Sequence, residues 1–501
     1  MTGEPEAFPT SACEGWGGQK WAMVALVLLA WGLRLPPLLD APLHPDEALY
    51  GYWGLLIGRG RDPWLTGVPV YKRPLWPYAI SGFQILLGHP IVALRFPGLV
   101  AGVLAVPLVR ALAQALYGDA VDSTGAAVAM ALSPFALILS GSAFPDPLMV
   151  TLGIAACVAG ARGRVHWAGL LAGLSFATKQ TGLVWLPLVF AVALARRASV
   201  RLWFRQFAAW WLVPTLLSFA WDGVRVALGA DSFWSAGVVG YGGLRLIWSH
   251  ELWSRLRAWS RLMASLFESP PIVGLLLVGL PALCWKAAVR HPRRRRAFFD
   301  LLLVSFGGGY LLLHWLIAFP IWTRYLLPLV PVLAVLMGRI ARGARCLWSD
   351  RVGQRPRLLI SSLLLVVLLF LPAREASAGR SSLAGEQAAY EGIDEVIQFL
   401  GQLPEGSVVY HHWLGWHYHY GLFDGPVYLA YWPTPAWLAQ DVQAFGGREQ
   451  RFITFPAWES MARVEQALQR VGYALEPVLT VSTRNAGAAF IVYHIRAGSP
   501  R

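Results

Sequence analysis

Hydrophobic residues along this chain are concentrated in long runs that short polar stretches separate. A helix needs roughly twenty apolar residues to cross a bilayer, and eleven runs are near that length or somewhat shorter. These runs are residues 21–39, 97–116, 124–142, 147–161, 166–179, 181–195, 207–228, 270–288, 300–318, 325–340 and 358–372. The pattern predicts a polytopic α-helical membrane protein with about 11 to 13 transmembrane helices.

Two apolar runs need separate interpretation. The first, residues 21–39, is long and lacks a small-residue cleavage site, so we expect an uncleaved membrane anchor and no signal peptide. The run Leu75–Leu87 lies within an otherwise polar segment, residues 40–96. A span there would reverse the sidedness of the arginine-rich loops described below, so we expect this run to form a helix along the outer interface.

The chain after residue 372 is less apolar and has a different pattern. Amphipathic periodicity predicts helices over Glu386–Leu400 and residues 457–473, while strands are predicted over residues 407–413, 451–455 and 488–495. Alternating helices and strands indicate a small α/β domain. The predicted organisation is a cytoplasmic tail (1–20), a transmembrane domain (21–372) and an extracytoplasmic α/β domain (373–501).

The composition supports the membrane class. Hydrophobic residues make up 56% of the chain and charged residues only 14%, with a mean hydropathy of +0.49. A soluble domain has about 25% charged residues. The four cysteines form no CxxC pair and none lies in the polar C-terminal segment, so the sequence contains no disulfide framework.

The net charge of +14 raises the question of nucleic-acid binding, which the positions of the basic residues answer. Four loops, residues 161–164, 195–205, 290–296 and 339–357, contain 17 arginines and a single acid, Asp350. Short basic loops lie on the cytoplasmic side of membrane proteins. The charge therefore indicates topology, with a cytoplasmic N-terminus, and no nucleic-acid partner is expected.

This topology places the remaining polar segments on the outer face. They are residues 40–96, 144–147, 179–180, 229–269, 321–324 and the chain after about residue 373. Several acids and cations from distant parts of the sequence are therefore expected on one side of the membrane.

Acidic candidates come first in the stretch "LHPDEALYGYW", where Asp46 and Glu47 follow the first apolar run. A partly desolvated carboxylate has a raised pKa and can act as a general base. Both could instead be interfacial loop acids, and Glu47 could equally begin the next helix and favour its dipole. Asp146 in "FPDPLM" is either a further site acid or the N-cap of the following span.

Cationic candidates on the same face are Lys72, Arg73, Lys179 and Arg324. Cations at the ends of spans often extend only to the interface, but several on one face could bind an anion such as a lipid phosphate. Carboxylates that activate a hydroxyl and cations that hold a phosphate suit group transfer from a lipid phosphate. A transporter could use the same groups.

Six motifs occur in a recognisable order over residues 20–340. They are "HPDEALY", "YKRPLWPY", "LRFPGLVAGVL", "FPDPLM", "AGLLAGLSFATKQTG" and "RYLLPLVPVLAVLMG". In this order they resemble the motifs of bacterial membrane glycosyltransferases of family 39. That family includes the protein O-mannosyltransferases and the aminoarabinose transferases of lipid A.

The resemblance implies a GT-C fold and an inverting transfer from a polyprenyl-phosphate-linked sugar to an acceptor hydroxyl. The reaction would take place on the outer face of the bacterial cytoplasmic membrane, and the acceptor could be a glycan, a lipid or a protein. By position, Asp46 would be the base or the acid that orients the acceptor, and Asp146 would support it. The resemblance further implies phosphate binding by Lys72, Lys179 and Arg324, and a site lined by Tyr50, Tyr325 and His44.

The chain departs from the resembled pattern at Tyr71, where aminoarabinose-type enzymes have a metal-binding glutamate, and at Leu49, where they have an arginine. The sequence therefore does not identify a definite cofactor. A divalent metal would need substitutes such as His44 or His250, and a lone histidine is more often structural. The histidine-rich run, residues 410–420, could bind a metal, but packing of the C-terminal domain on the membrane part is the favoured interpretation.

Two other functions remain open at this level. A transporter or flippase of lipid-linked sugars should contain inverted repeats and charges in the middle of spans, and the sequence shows neither pattern. A non-catalytic assembly scaffold is compatible with the large outer domain but not with the ordered motifs.

Overall fold

The computed structural model describes residues 16–87, 90–118, 121–195, 200–241, 245–289, 295–345, 354–482 and 487–498. Helices dominate the chain up to Ser377, and a five-stranded sheet with short helices follows. The predicted N-terminal tail lies mostly outside the described residues.

Most helices of the first part cover the predicted apolar runs, and three more lie in segments predicted as polar. They are α1 Trp16–Asp40, α2 Pro45–Gly58, α3 Leu75–Leu86, α4 Pro90–Tyr117, α5 Ser123–Ala131, α6 Pro134–Ser140, α7 Asp146–Ala161, α8 Val165–Thr178, α9 Leu186–Leu194, α10 Val200–Ala227, α11 Phe233–Tyr241, α12 Leu252–Ser265, α13 Pro270–Val289, α14 Arg295–Leu316, α15 Leu329–Arg345 and α16 Gln354–Ser377. Single 3-10 turns cover Gln180–Trp185, Ser249–Glu251 and Thr323–Leu326. Each of the eleven predicted runs corresponds to a helical segment.

The run predicted as one span over residues 124–142 is two helices. The axes of α5 and α6 differ by 55°. Pro134 has no backbone N–H and disfavours helical conformation in the preceding residue, so α5 cannot continue through Ser133. The Ser133 side chain instead accepts a hydrogen bond from the Ala136 N–H and caps α6.

Length and hydropathy identify the helices that can cross a membrane. Within the described residues, α13, α14, α4 and the Lys20–Asp40 part of α1 meet both criteria, and α5 with α6 makes a fifth if the bent pair is one span. Three shorter apolar helical segments cover Asp146–Ala161, Val165–Thr178 and Gln180–Leu194. Large apolar side chains on α13, such as Leu277, Val278 and Trp285, are more than 70% exposed, as expected of a lipid-facing surface.

The C-terminal part begins with α17 Gly385–Ala388 and α18 Ile393–Leu400. The remaining elements are β1 Val408–His411, α19 Gly415–Gly421, β2 Tyr428–Tyr431, α20 Pro435–Phe445, β3 Arg451–Pro456, α21 Ala462–Gln469, β4 Tyr473–Ser482 and β5 Ala488–Ala497. The strand order is β2-β1-β3-β5-β4. Strand β1 pairs in parallel with β2 and β3, while β5 pairs antiparallel with β3 and β4. The predicted α/β architecture is present.

Two of the predicted C-terminal helices are shorter than expected. The helix predicted over residues 386–400 is interrupted before Gly392, which has φ +88° and whose missing Cβ would lie 2.4 Å from Val481 Cγ1. The helix predicted over residues 457–473 is reduced to α21, because Tyr473 already belongs to β4. Strand β2 and helix α20 were not predicted.

The histidine-rich run contacts α2 of the membrane part. His417 is fully buried, and its Nε2 lies 2.8 Å from the Leu43 carbonyl oxygen. The ring of Tyr420 occupies the space beside Gly51, where a Cβ would lie 2.6 Å from the ring. The run is split between β1 and α19 and holds the C-terminal domain against the helix that begins at Pro45.

Candidate active site

Asp46 lies in the first turn of α2, and its position depends on the preceding residues. Pro45 is favourable at the start of a helix because its missing N–H needs no partner there. His44 is the N-cap, and its Nδ1 accepts a hydrogen bond from the Asp46 N–H at 3.1 Å. The His44 N–H in turn donates to Glu47 Oε2 at 3.0 Å. This capping box directs Asp46 away from the cap.

Asp46 forms an ion pair with a cation from the far end of the membrane part. Arg324 Nη2 lies 2.9 Å from Asp46 Oδ2, and the Asp46 side chain is 24% exposed. The guanidinium of Arg324 also lies 4.3 Å from the Trp322 ring centroid and 4.8 Å from that of Phe144. These rings limit the movement of Arg324 and leave one side of Asp46 accessible.

Asp146 and Lys179 form a second, buried ion pair. Lys179 Nζ lies 2.6 Å from Asp146 Oδ1, and the Tyr325 ring centroid is 4.8 Å from the same Nζ. Asp146 is the first residue of α7 and makes no capping hydrogen bond, so the predicted N-cap alternative does not describe it. Its other oxygen, Oδ2, has no hydrogen-bond partner among the described residues.

Lys72 completes the cluster from the loop before α3. Its side chain is 3% exposed, and burial, followed by the charge of Lys179, lowers its pKa to about 7. Asp46 and Asp146 act in the opposite direction, and Arg324 adds a further lowering effect. Three cations and two carboxylates therefore interact, and one positive charge is left when all are ionised. Such a cluster is suited to an additional anion.

Aromatic side chains enclose the cluster. Tyr325 contacts Lys179, and Tyr71 lies 5.1 Å from Lys72 Nζ and edge-on to Trp53. Tyr50, which is 1% exposed, packs edge-on against the same Trp53. The predicted lining residues Tyr50 and Tyr325 lie at the cluster. Tyr71, which replaces the glutamate of the resembled pattern, lies there too.

Glu47 has a different environment from its neighbour Asp46. Both of its oxygens accept hydrogen bonds from Arg95, each at 2.9 Å, and Oε1 also accepts from the Ala143 N–H at 2.6 Å. Burial alone would raise the pKa of this fully buried carboxyl, but Arg95 and the backbone donors lower it overall. The geometry indicates a structural anchor, so the predicted catalytic role of Glu47 is not supported.

Arg95 is the residue that the sequence reasoning overlooked. Besides its ion pair with Glu47, it donates to the carbonyl oxygens of Leu38, Ala41 and Pro42. It therefore joins α4 to the end of α1 and to the start of α2. The motif "LRFPGLVAGVL" contained this signal, because an arginine inside an apolar run needs an internal partner.

Two other predicted site residues lie apart from the cluster. The Arg73 guanidinium is surrounded by aromatic rings; burial lowers its pKa, and the charge of Asp222 acts in the opposite direction. His250 lies in the exposed turn Ser249–Glu251. Lys72 and Arg73 are adjacent in the loop before α3, yet Lys72 interacts with Asp46 and Asp146 while Arg73 lies among aromatic rings.

The arrangement does not fit a divalent metal. Within the described ranges, no three His, Cys, Asp or Glu side chains come close enough to hold a metal ion. His44 uses Nδ1 as the acceptor of a helix-capping hydrogen bond, and its ring packs edge-on against Phe144 and Tyr390. Tyr71 stands where the resembled pattern has an acid.

A small cavity of about 20 Å³ adjoins the Asp46–Arg324 pair. Its lining comes from both parts of the protein: His44, Ile138, Leu139, Phe144, Thr323, Arg324, Leu383 and Gln387. It is large enough for about one water molecule. The seam between the membrane part and the C-terminal domain thus lies beside Arg324, the ion-pair partner of Asp46.

A bundle of apolar helices, a cluster of acids and cations, and a C-terminal α/β domain together define the class of fold. This combination is the GT-C architecture that the sequence motifs predicted. Several apolar helices and a small C-terminal sheet are present, and four or five spans among the described residues are long and apolar enough to cross a membrane.

The similarity extends to particular solved structures. The chain superposes on the crystal structure of ArnT from Cupriavidus metallidurans bound to undecaprenyl phosphate with a TM-score of 0.62 and 15% identity, covering 97% of this chain and 100% of that one. For ArnT in the apo state the TM-score is 0.64 with 15% identity, covering 97% and 99% of the two chains. No family model and no curated protein matches the sequence. At this identity the similarity establishes the fold.

Proposed function

We propose that this protein is a membrane glycosyltransferase that uses a polyprenyl-phosphate-linked sugar as its donor. The observation that carries the proposal is the cluster in which Asp46 pairs with Arg324, Asp146 pairs with Lys179, and Lys72 lies within electrostatic range of both pairs. The ArnT structure of the same fold is bound to undecaprenyl phosphate, which supports a lipid phosphate as the anion.

In the proposed reaction, Asp46 accepts or directs the proton of an acceptor hydroxyl. The hydroxyl oxygen attacks C1 of the sugar as the bond from C1 to the phosphate oxygen breaks, so the configuration at C1 inverts. The polyprenyl phosphate leaves as an anion, and its charge is stabilised by Lys72, Lys179 and Arg324. Asp146 holds Lys179 in place, and Tyr50, Tyr71 and Tyr325 line the site.

In this reaction, Arg324 can pair either with the acid Asp46 or with the lipid phosphate. Its Nη2 lies 2.9 Å from Asp46 Oδ2. Binding of a lipid phosphate offers Arg324 a second anion, and the competition would release Asp46 from its ion pair and leave its carboxylate available to the acceptor hydroxyl. Because Asp46 is 24% exposed while Asp146 is 2% exposed, Asp46 is the carboxylate that an acceptor can reach.

We further propose that the reaction takes place on the extracytoplasmic side of a bacterial cytoplasmic membrane. The arginine-rich loops support this sidedness, since they would lie in the cytoplasm and leave the cluster and the C-terminal domain outside. The transmembrane domain would end near residue 372, with residues 373–501 as the extracytoplasmic domain and an acceptor glycan, lipid or protein approaching there.

The experiment is a transfer assay with purified protein and a panel of polyprenyl-phosphate sugars, followed by mass spectrometry of the released lipid phosphate. We expect release with at least one donor and at least a hundredfold loss in Asp46→Asn, because removal of a catalytic base costs about 10²–10⁴-fold. Asp40→Asn, at the exposed end of α1, is the matched control and should retain activity.

A variant Asp46→Asn that is folded and fully active would refute the role of Asp46. Movement of the intact lipid-linked sugar across proteoliposomes without release of lipid phosphate would favour the alternative, a flippase.

A further inference from the structure

The Arg73 guanidinium occupies an aromatic cage. Its Cζ lies 4.0 Å from the ring centroids of Phe176 and Phe233, 4.9 Å from that of Phe219 and 5.3 Å from that of Trp234. The side chain is fully buried, and none of its three nitrogens has a hydrogen-bond partner in the part of the chain that the structure describes. A buried guanidinium normally pairs with a carboxylate, so this environment needs a functional explanation.

The cage is suited to fixing the position of Arg73. A cation over an aromatic face gains about 0.5–2 kcal/mol per contact, and desolvation strengthens the contact. Burial lowers the pKa of Arg73 to about 10, with Asp222 acting in the opposite direction, so the side chain is charged at neutral pH. Several such contacts hold residue 73 in place even though it lies outside any helix.

The cage also connects two residues of the proposed phosphate site. Arg73 directly follows Lys72 in the chain, and Phe176 precedes Lys179 by about one helical turn at the end of α8. A single cation–π contact between Arg73 and Phe176 therefore joins the two segments that carry the lysines. Phe219 on α10 and the first two residues of α11 close the cage from the other side.

The two lysines repel each other, and the charge of Lys179 contributes to lowering the pKa of Lys72. Without an external tie, the loop that carries Lys72 would relax away from Lys179. The contact between Arg73 and Phe176 opposes that movement at the residue next to Lys72.

We propose that Arg73 is a positioning residue, which holds Lys72 at the distance from Lys179 that a single lipid phosphate requires. The inference rests on the proposed function, since it assigns Arg73 a role in the affinity of the same site. Arg73 itself does not touch the phosphate. Arg73 contributes to affinity by fixing the distance between the ammonium groups of Lys72 and Lys179 before the phosphate binds.

The test measures binding of undecaprenyl phosphate to the purified full-length protein. Arg73→Met removes every cation–π contact of the cage, and we expect it to weaken the Kd about tenfold, which corresponds to about 1.4 kcal/mol. Arg73→Lys keeps the charge but not the planar group, so it should restore part of the affinity. Phe176→Leu leaves three rings around the guanidinium and should weaken binding by several-fold.

The double variant Arg73→Met with Phe176→Leu separates positioning from general damage. If both residues act through one contact, the double variant should bind no more weakly than Arg73→Met alone. Arg59→Met is the control, because Arg59 is an exposed cation of the outer segment at the end of α2. Melting temperatures of all variants show whether the fold is intact.

The outcomes distinguish this inference from the proposed function. If the wild-type protein and Lys72→Met bind undecaprenyl phosphate equally weakly, the proposed function fails. If the wild type binds, Lys72→Met does not, and folded Arg73→Met binds like the wild type, the positioning role alone is refuted. Strict additivity in the double variant would also overturn it. Should Arg73→Met not fold, Arg73→Lys and Phe176→Leu provide the same comparison.

Discussion

Neighbouring acids at the start of α2 should respond to the same kind of substitution in opposite ways. Glu47→Gln removes the charge of a carboxylate that is fully buried against Arg95. Asp46→Asn removes the charge of a carboxylate that is 24% exposed and pairs with Arg324. The first change should lower the free energy of unfolding and leave transfer by the folded protein intact. The second should abolish transfer and change the free energy of unfolding much less.

The expected decrease in the free energy of unfolding of Glu47→Gln can be estimated from the hydrogen bonds of Glu47. Oε1 accepts from Arg95 Nε and the Ala143 N–H, and Oε2 accepts from Arg95 Nη2 and the His44 N–H. The Gln387 side-chain amide also donates to Oε2 at 3.4 Å, so the N–H groups of the introduced amide face at least two donors whichever oxygen they replace. Breaking a buried pair by removing one partner costs about 3–5 kcal/mol. Arg95 retains three carbonyl acceptors, so we expect a loss near the lower end, about 3 kcal/mol.

The assay is the free energy of unfolding by chemical denaturation in detergent micelles, with release of lipid phosphate measured on the folded fraction. For Asp46→Asn, where the pair is partly exposed, we expect a stability change of at most about 1 kcal/mol. The pKa of Glu47 is lowered in the folded protein, so its contribution is present above the unfolded value of 4.5 and is lost as the pH falls below it.

The reasoning would be refuted by a Glu47→Gln protein that unfolds within about 0.5 kcal/mol of the wild type, since that is the range of neutral surface changes. A stable Glu47→Gln protein with no activity would return Glu47 to the catalytic set.

Three further predictions follow from the described contacts. Burial and the charge of Lys179 lower the pKa of Lys72 to about 7, and the neutral amine cannot pair with an anion. The affinity for undecaprenyl phosphate, measured from pH 6 to 9, should therefore fall about tenfold per pH unit above about pH 7. An affinity that does not change with pH would contradict this prediction. Burial lowers the pKa of His417 to about 4 in the folded protein, so the protein should lose stability as the pH falls from 6.5 towards 4. In His417→Leu, the melting temperature should no longer depend on pH in this range. Gly51→Leu should detach Tyr420 from α2 and increase proteolysis of the C-terminal domain, whereas Gly60→Ala, in open space beyond α2 at φ +67°, should strain only the local turn.

Much of the fold could be predicted from local pattern alone. Each apolar run forms a helical segment because a chain in lipid must satisfy its backbone hydrogen bonds internally. The exceptions have local causes that propensity describes only in part: Pro134 divides one run into α5 and α6, and Gly392 interrupts the predicted helix before α18. Short elements such as β2 depend on pairing with β1, which no local pattern contains.

In the candidate site, too, some features follow from the sequence and others only from the tertiary structure. The sequence determined the residue types and their positions at the ends of apolar runs, where charged groups can reach water. Tertiary structure alone decided the pairing of Asp46 with Arg324, the burial of Glu47 against Arg95, and the separation of Lys72 from Arg73. The physical reason is that the strength of an ion pair depends on distance and desolvation, and both arise only when helices distant in sequence pack together.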